Sequence, residues 1–231
     1  MAVYEKGNET KRRLILSMFA HLKVKDVSEI TVRELAAEEN LSPAALYRHF
    51  ESFEYLVFLG ALKFFMRYMD EYFFLLQTYS EDIMKSYIKG WQLYNKYAFG
   101  RPDLFYRLFW GQHNVMFSDA LDEYFELFPN TGTERFPMTG TEPYPDFYYT
   151  LLFTQDIRKR DFLMLKQAVK LGILTDDDAE YFSRSNTLMV KGMLEMYMSR
   201  NLEERRRGET ECNELLVKNL ERVYAYSETD I

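Results

Sequence analysis

The chain has 231 residues, 47% of them hydrophobic and 28% charged, with a formal net charge of −7. This is the composition of an ordinary globular protein, long enough for a small domain joined to a larger one, and no run of about 18 apolar residues offers a membrane span. The polar start, Met1–Arg13, carries no apolar signal segment, and the single cysteine, Cys212, can form neither an internal disulfide nor a thiolate cage, so a reducing cytoplasm is the expected setting.

Helical signals run along most of the chain. Leu14, Ile15, Met18, Phe19 and Leu22 form one apolar stripe of a first helix. Thr31, with Glu34 three residues later, reads as a capping box that opens a helix carrying Val32, Leu35 and Ala36. Asn40 tolerates a left-handed backbone and ends that helix, and Ser42-Pro43 starts another, with Ser at the cap and Pro in the first turn. Ser52 caps the next. Tyr55, Leu59, Leu62, Met66, Met69, Phe73 and Leu76 then alternate at spacings of four and three, predicting a long helix over 52–78.

Further helices are expected over 81–99, 103–110 and 118–128. Residues 129–145 break the pattern: four of the six prolines fall there, with Gly132 and Gly140, and the tetrapeptide Thr-Gly-Thr-Glu occurs twice. An irregular loop of this length is expected, and it is a candidate cover for an adjoining pocket. A helix over 147–171 should stop at Gly172. Thr175 with Asp176–Asp178 should start the next, and a last helix is expected over 210–226. Nothing reads as a sheet, so the expected fold is all-α.

The segment Thr31–Phe50, TVRELAAEENLSPAALYRHF, is laid out as two short capped helices around a tight turn. In the second, Leu46 and Phe50 are four apart and point to a core. The expected outward set is Thr31, Arg33, Ser42, Pro43, Ala44, Ala45, Tyr47 and His49. Small residues let a helix enter a DNA major groove closely, alanine methyls can touch thymine methyls, and Tyr47 and His49 can donate to phosphates. Over Lys11–Val57 the sequence resembles the N-terminal DNA-binding domain of the TetR/AcrR family: Leu14–Leu22 matches its first helix, Thr31–Ala36 its second, Leu41–Phe50 its recognition helix, and Ser52–Leu56 its fourth.

That resemblance implies a three-helix helix-turn-helix domain over 8–54 and a helical ligand-binding and dimerisation domain over 55–231. It implies double-stranded operator DNA as partner, a homodimer, and a small-molecule effector that releases a repressor from its operator. The alternative on the same fold is a DNA-organising or protein-recruiting factor without an effector. Two positions depart from the family pattern. Asn40-Leu41 stands where glycine is usual before the recognition helix, and Phe53 stands where a phosphate-contacting lysine is frequent, which implies a flatter salt dependence. Lys/Arg and Asp/Glu also balance over residues 1–52, so the acidic excess lies wholly in the rest of the chain and few phosphates are neutralised.

Twenty of the 65 residues from 53 to 117 are Phe, Tyr or Trp, against 17% over the chain. They read either as a bulky core or as the lining of an effector pocket, for which Trp91, Tyr94, Phe105, Phe109, Trp110 and His113 are the candidates. For a dimer interface the candidates are Met189, Gly192, Met193 and Met196 on one helix and Leu216, Leu220 and Val223 on the last. The three histidines lie on separate segments, and none pairs with a carboxylate at i, i+4 with further ligands. No catalytic site, metal or cofactor is therefore expected. Cys212 shares a stripe with Leu216 and Leu220 and reads as a buried thiol, and three aspartates at a helix start need no metal.

Overall fold

A computed structural model describes residues 2–129 and 150–222, with side chains from residue 7 onward. Every regular element among them is helical, as expected, and no described helix is long and apolar enough to cross a membrane. The described chain forms two compact units: residues 2–67 with 111–129, and residues 68–110 with 150–222. The division falls later than residue 54, and a stretch expected in the larger domain belongs with the N-terminal helices.

In the first unit, α1 spans Ala2–Leu22. Its expected stripe is buried: Leu14, Ile15, Met18 and Leu22 are fully covered. Helix α2, Val32–Glu38, is capped by Thr31, whose hydroxyl accepts from the Glu34 amide at 3.2 Å. The Glu34 carboxylate pairs with Lys25. Asn40 has φ of 56°, and the chain leaves α2 through two bonds, Leu41 N–H to Ala36 O at 2.8 Å and Asn40 N–H to Ala37 O at 3.1 Å. This is a Schellman ending with Asn in the left-handed position.

Helix α3, Pro43–Leu46, follows at once, with the Ser42 hydroxyl accepting from Ala45 N–H at 3.1 Å. Ser52 caps α4, Phe53–Thr78, of which the part up to Arg67 belongs to this unit. Later in the chain, a 3-10 turn, Gln112–Met116, leads into the helix Phe117–Leu127, which buries Phe117, Ala120, Leu121, Tyr124 and Leu127. That helix is tied to α1 by the ion pair of Lys11 with Glu123 and by Arg12 donating to the Leu127 carbonyl. The Tyr55 hydroxyl donates to Glu123 at 2.8 Å.

The left-handed turn gives a test. A β-branched side chain at Asn40 meets a backbone penalty of about 1–2 kcal/mol, whereas glycine meets none. Asn40→Val is expected to destabilise by about that amount and Asn40→Gly to stay within about 0.5 kcal/mol of the parent. Urea midpoints of the three proteins check it; equal midpoints for Val and Asn would show that the turn carries no such strain.

In the second unit, α4 continues from Tyr68 to Thr78. It is followed by α5, Ile83–Gly100, capped by Asp82, and α6, Pro102–Phe109. With Phe117–Leu127 of the first unit as α7, the later helices are α8, Ile157–Lys170, α9, Asp176–Tyr197, and α10, Leu202–Glu221. The single helix expected over 147–171 is broken. Residues 150–153 are helical, and Asp156 then caps α8 by accepting from the amides of Arg158 and Lys159. Gly172, with φ of 71°, ends α8, and Thr175 forms a capping box with Asp178 to open α9, both as expected. The last helix begins eight residues before 210, because Asn201 and Glu204 form a capping box of their own.

Helix α10 packs on α5 and α9 through Gly208, Cys212, Leu216 and Leu220, all buried. Burial in this apolar seam pushes the Cys212 thiol up to about 12, so it stays protonated. Tyr197 lies so close that a Cβ at Gly208 would stand 2.8 Å from its ring. Among the exposed large apolar residues, Leu188 and Met196 lie on α9 and Leu202 and Leu215 on α10. The loop 130–145 lies outside the described residues, as does Val223.

Candidate functional site

In the first unit the segment 31–50 sorts its side chains as its spacing implies. Leu35, Ala36, Leu46 and Phe50 are buried, while Thr31, Ser42, Pro43, Ala44 and Tyr47 are exposed, Tyr47 to 49%. Arg33 is exposed as well, and Ala45 and His49 are intermediate. One face of α3 thus presents three small residues and a tyrosine, with Arg33 on α2 and Arg48 just beyond. Burial lowers the His49 imidazole below its ordinary range, and the positive charges of Lys11 and Arg48 push it the same way. His49 is therefore neutral at neutral pH and adds no charge to this face.

Helices α1 and α2 are held together by polar links. Arg13 Nε donates to Glu39 at 2.7 Å, Ser17 Oγ donates to Glu38 at 2.6 Å, and His21 Nε2 lies 2.7 Å from the same carboxylate. The hydroxyl of Ser17 is the first cause of the low Glu38 carboxyl, and Lys25 that of the low Glu34 carboxyl. His21, Glu34 and Glu38 come within 4.8 Å of one another, a spacing at which they could hold a metal ion. No spacing along the chain signals this group: the two glutamates are i, i+4 on α2, and the histidine reaches them from α1. Within the chain these groups serve as a tether, since Lys25 and Ser17 already occupy the carboxylates.

The second unit holds a small, partly open cavity of about 40 Å³ between α4, α5 and α8. Its walls are the rings of Tyr68, Tyr72, Tyr87, Trp91 and Tyr94, closed by Leu151, Ile157 and Met164. Two charged residues of α8, Arg160 and Asp161, also face it, and both are almost completely buried. The Arg160 guanidinium sits 5.2 Å from the centre of the Phe109 ring and donates to the Met69 sulfur at 3.0 Å. Asp161 Oδ1 accepts from Trp91 Nε1 at 2.6 Å, while its Oδ2 is buried and makes no hydrogen bond among the described residues.

Burial raises the Asp161 carboxyl from 3.8 to about 6, with Ser183, Trp91 and Tyr87 pulling the other way. Among the described residues it has no ion-pair partner. Tyr87 is held from behind, since its hydroxyl accepts from Asn186 Nδ2 at 2.9 Å, and the Asn186 oxygen accepts from Asn219 at 2.8 Å.

Of the sequence candidates for a pocket, Trp91 and Tyr94 line this cavity. Phe105 and Phe109 form its outer support, packing edge-on against Tyr94 with centroids 5.7 and 5.8 Å away, and Trp110 Nε1 donates to the Tyr94 hydroxyl at 3.2 Å. His113 is a correction: it belongs to the first unit, where it lies 3.8 Å from Glu54, and it lines no part of the cavity. Sequence reasoning misses Arg160 and Asp161. Their signal is present, because they occupy the buried stripe of α8 between Ile157 and Met164, Leu165 and Ala168. A charged residue on such a stripe needs a reason.

The dimer candidates also divide. Met193, Leu216 and Leu220 are buried in the core of their own unit and are unavailable to a partner, because the spacing that suggests a stripe is the one that packs α10 on α5 and α9. Met196 is 70% exposed, Gly192 is half-buried, Met189 lies on the same helix between them and Leu188, and nothing lies within 4 Å of a Cβ placed at Gly192. Leu188 and Leu215, both exposed, are not foreseen from the sequence.

No family model, no curated protein and no solved structure matches the chain.

Proposed function

We propose that the protein is a DNA-binding transcriptional regulator of the TetR type, with α2 and α3 as a helix-turn-helix and α3 as the helix that enters the major groove. The observation that carries this reading is the sorting of residues 31–50. The apolar positions are buried, and the outward ones are the small, hydroxyl and basic residues that a groove-entering helix needs. Arg33, Tyr47 and His49 supply donors for phosphates, and Ala44 and Ala45 supply methyl contacts. With a neutral histidine and balanced charge over residues 1–52, the protein binds DNA weakly outside its site, and affinity falls gently with salt.

The test is selection from random duplexes. The protein should enrich a short palindromic motif, and retention of random duplexes in unselected proportions would overturn the reading. The resemblance to a repressor family and the cavity of the second unit support release by a small effector. A DNA-organising factor without an effector is the second reading, and the small size of the cavity favours it, since drug-sized ligands occupy about 300–1,000 Å³.

The protein works in this reading as a homodimer, paired through Leu188, Met189, Gly192 and Met196 of α9 with Leu215 of α10. Leu188, Met196 and Leu215 are exposed apolar residues, and open space at Gly192 admits close approach. A two-fold pair places two recognition helices one DNA turn, about 34–36 Å, apart. Sedimentation at micromolar concentration should give a dimer, and Met196→Glu should give a monomer with unchanged helix content. A monomeric parent protein would remove this interface.

A further inference from the structure

We propose that the cavity of the second unit receives a protonated amine head group, held by the Asp161 carboxylate and faced by the rings of Tyr68, Tyr72, Tyr87, Trp91 and Tyr94. The proposal rests on the reading of that cavity as the effector site and names the chemistry it selects.

The case starts from Asp161 Oδ2. A buried acceptor without a hydrogen bond is costly, and a buried carboxylate without a counter-ion more so. Its other oxygen already has the Trp91 N–H, so what the site lacks is one donor carrying positive charge. An ammonium group supplies both.

The surrounding rings suit the same charge, since the faces of tryptophan and tyrosine attract cations within about 6 Å. Four of the five rings carry hydroxyls that can take the remaining ammonium protons. An anionic head group would meet Asp161 at close range and be repelled by it. A neutral donor such as an alcohol could satisfy Oδ2 but leaves the charge uncompensated.

Arg160 does not fill the role. Its guanidinium is turned to the Phe109 ring, the Met69 sulfur and the Thr154 carbonyl, and it is not among the groups that act on the Asp161 carboxyl. The room, about 40 Å³, takes a head group of a few heavy atoms or two to three waters. The rest of the molecule must therefore be slender where it meets the cavity.

The groups that face Asp161 are Tyr87 and Trp91 of α5, Ser183 of α9 and, at longer range, Tyr72 of α4. The tyrosine phenols there are held protonated by burial, so across the neutral range Asp161 alone titrates. Amine affinity should rise about tenfold per pH unit up to about 6 and level off above it.

The experiment is calorimetric titration of the full chain without DNA, at pH 7.5, with methylammonium and benzylamine against their neutral counterparts methanol and benzyl alcohol, and with benzoate. At least one amine should bind ten times or more tightly than its neutral counterpart, benzoate should not bind, and Asp161→Asn should abolish the preference while retaining its helix content. The pH dependence of amine binding to the parent protein is the second readout, independent of any variant.

Absence of amine binding would mean that water alone fills the cavity and would overturn the proposal, as would equal affinity for amine and alcohol or amine binding that is indifferent to pH between 5 and 7. The DNA-binding reading fails separately, in the random-duplex selection. If an amine binds as described and leaves affinity for the selected duplex unchanged, the amine site stands and its regulatory role falls.

Discussion

Asp161→Asn is expected to raise the unfolding free energy by about 2–3 kcal/mol at pH 8 and to leave it nearly unchanged at pH 4. The carboxyl titrates near 3.8 when exposed and near 6 in its buried place, so the folded chain binds this proton more tightly than the unfolded one. A group displaced in that direction gives its full stabilisation below about pH 4. The contribution is lost as pH rises from about 4 through about 6, because over that range the unfolded chain ionises this carboxyl while burial keeps it protonated in the folded one. At about 1.4 kcal/mol for each pH unit separating the two values, the cost above pH 6 approaches about 3 kcal/mol.

Asparagine removes the charge and keeps the shape. Its oxygen can still accept from Trp91, and its amide faces the hydroxyls of Tyr87 and Ser183, which act on the carboxyl without a hydrogen bond to it. The glutamates whose carboxyls are lowered, such as Glu34 and Glu38, shape the acid limb of both proteins alike and cancel in the comparison. Denaturation curves at half-unit steps from pH 4 to 8 measure the difference directly. Parallel profiles for the two proteins would show that Asp161 is not held in the raised state. A stabilising substitution at a cavity wall is also what a site that gives up stability for binding should show.

Local chemistry is legible in the sequence, and long-range placement is not. Thr31, Asn40, Ser42, Ser52, Gly172 and Thr175 mark helix ends through bonds to amides and carbonyls a few residues away, and each end falls where its residue places it. The start of α10 escapes a reading by periodicity because residues 200–209 are polar on almost every side and carry no stripe; the capping pair Asn201 and Glu204 is the only sign of it. Gly208 looks like a break in a helix, but it is a contact point for the Tyr197 ring.

The return of Phe117–Leu127 to the first unit depends on Lys11 and Arg12 meeting Glu123 and Leu127, partners more than a hundred residues away. No periodicity contains that pairing, and the expected place of His113 in the larger domain fails with it. The aromatic wealth of 53–117 signals a large ring-lined core but cannot say which rings enclose space. Trp91 and Tyr94 do; Phe105 and Phe109 stand behind them.

Two neighbouring residues at α3 should separate fold from function. Leu46 is fully buried beneath the segment, and Leu46→Ala should cost about 2–5 kcal/mol, the range for leucine truncations in a closed core. Tyr47, one residue on, is 49% exposed, so Tyr47→Ala should change stability by less than about 0.5 kcal/mol. In the proposed DNA-binding role the order should reverse. Loss of a positioned phosphate donor and its ring contact should weaken the selected duplex by about tenfold or more, since an interaction of about 1–3 kcal/mol is removed. Tyr47→Phe isolates the hydroxyl and should retain the packing part of the effect. The loss should shrink as salt is raised if Tyr47 acts only with charged neighbours, and should persist if it acts through its own hydrogen bond, because a neutral donor releases no counterion. Unfolding curves and fluorescence-anisotropy titrations on the same preparations measure both quantities. Should Tyr47→Ala bind the selected duplex as tightly as the parent, α3 is not the helix that reads DNA, whatever the stability of Leu46→Ala.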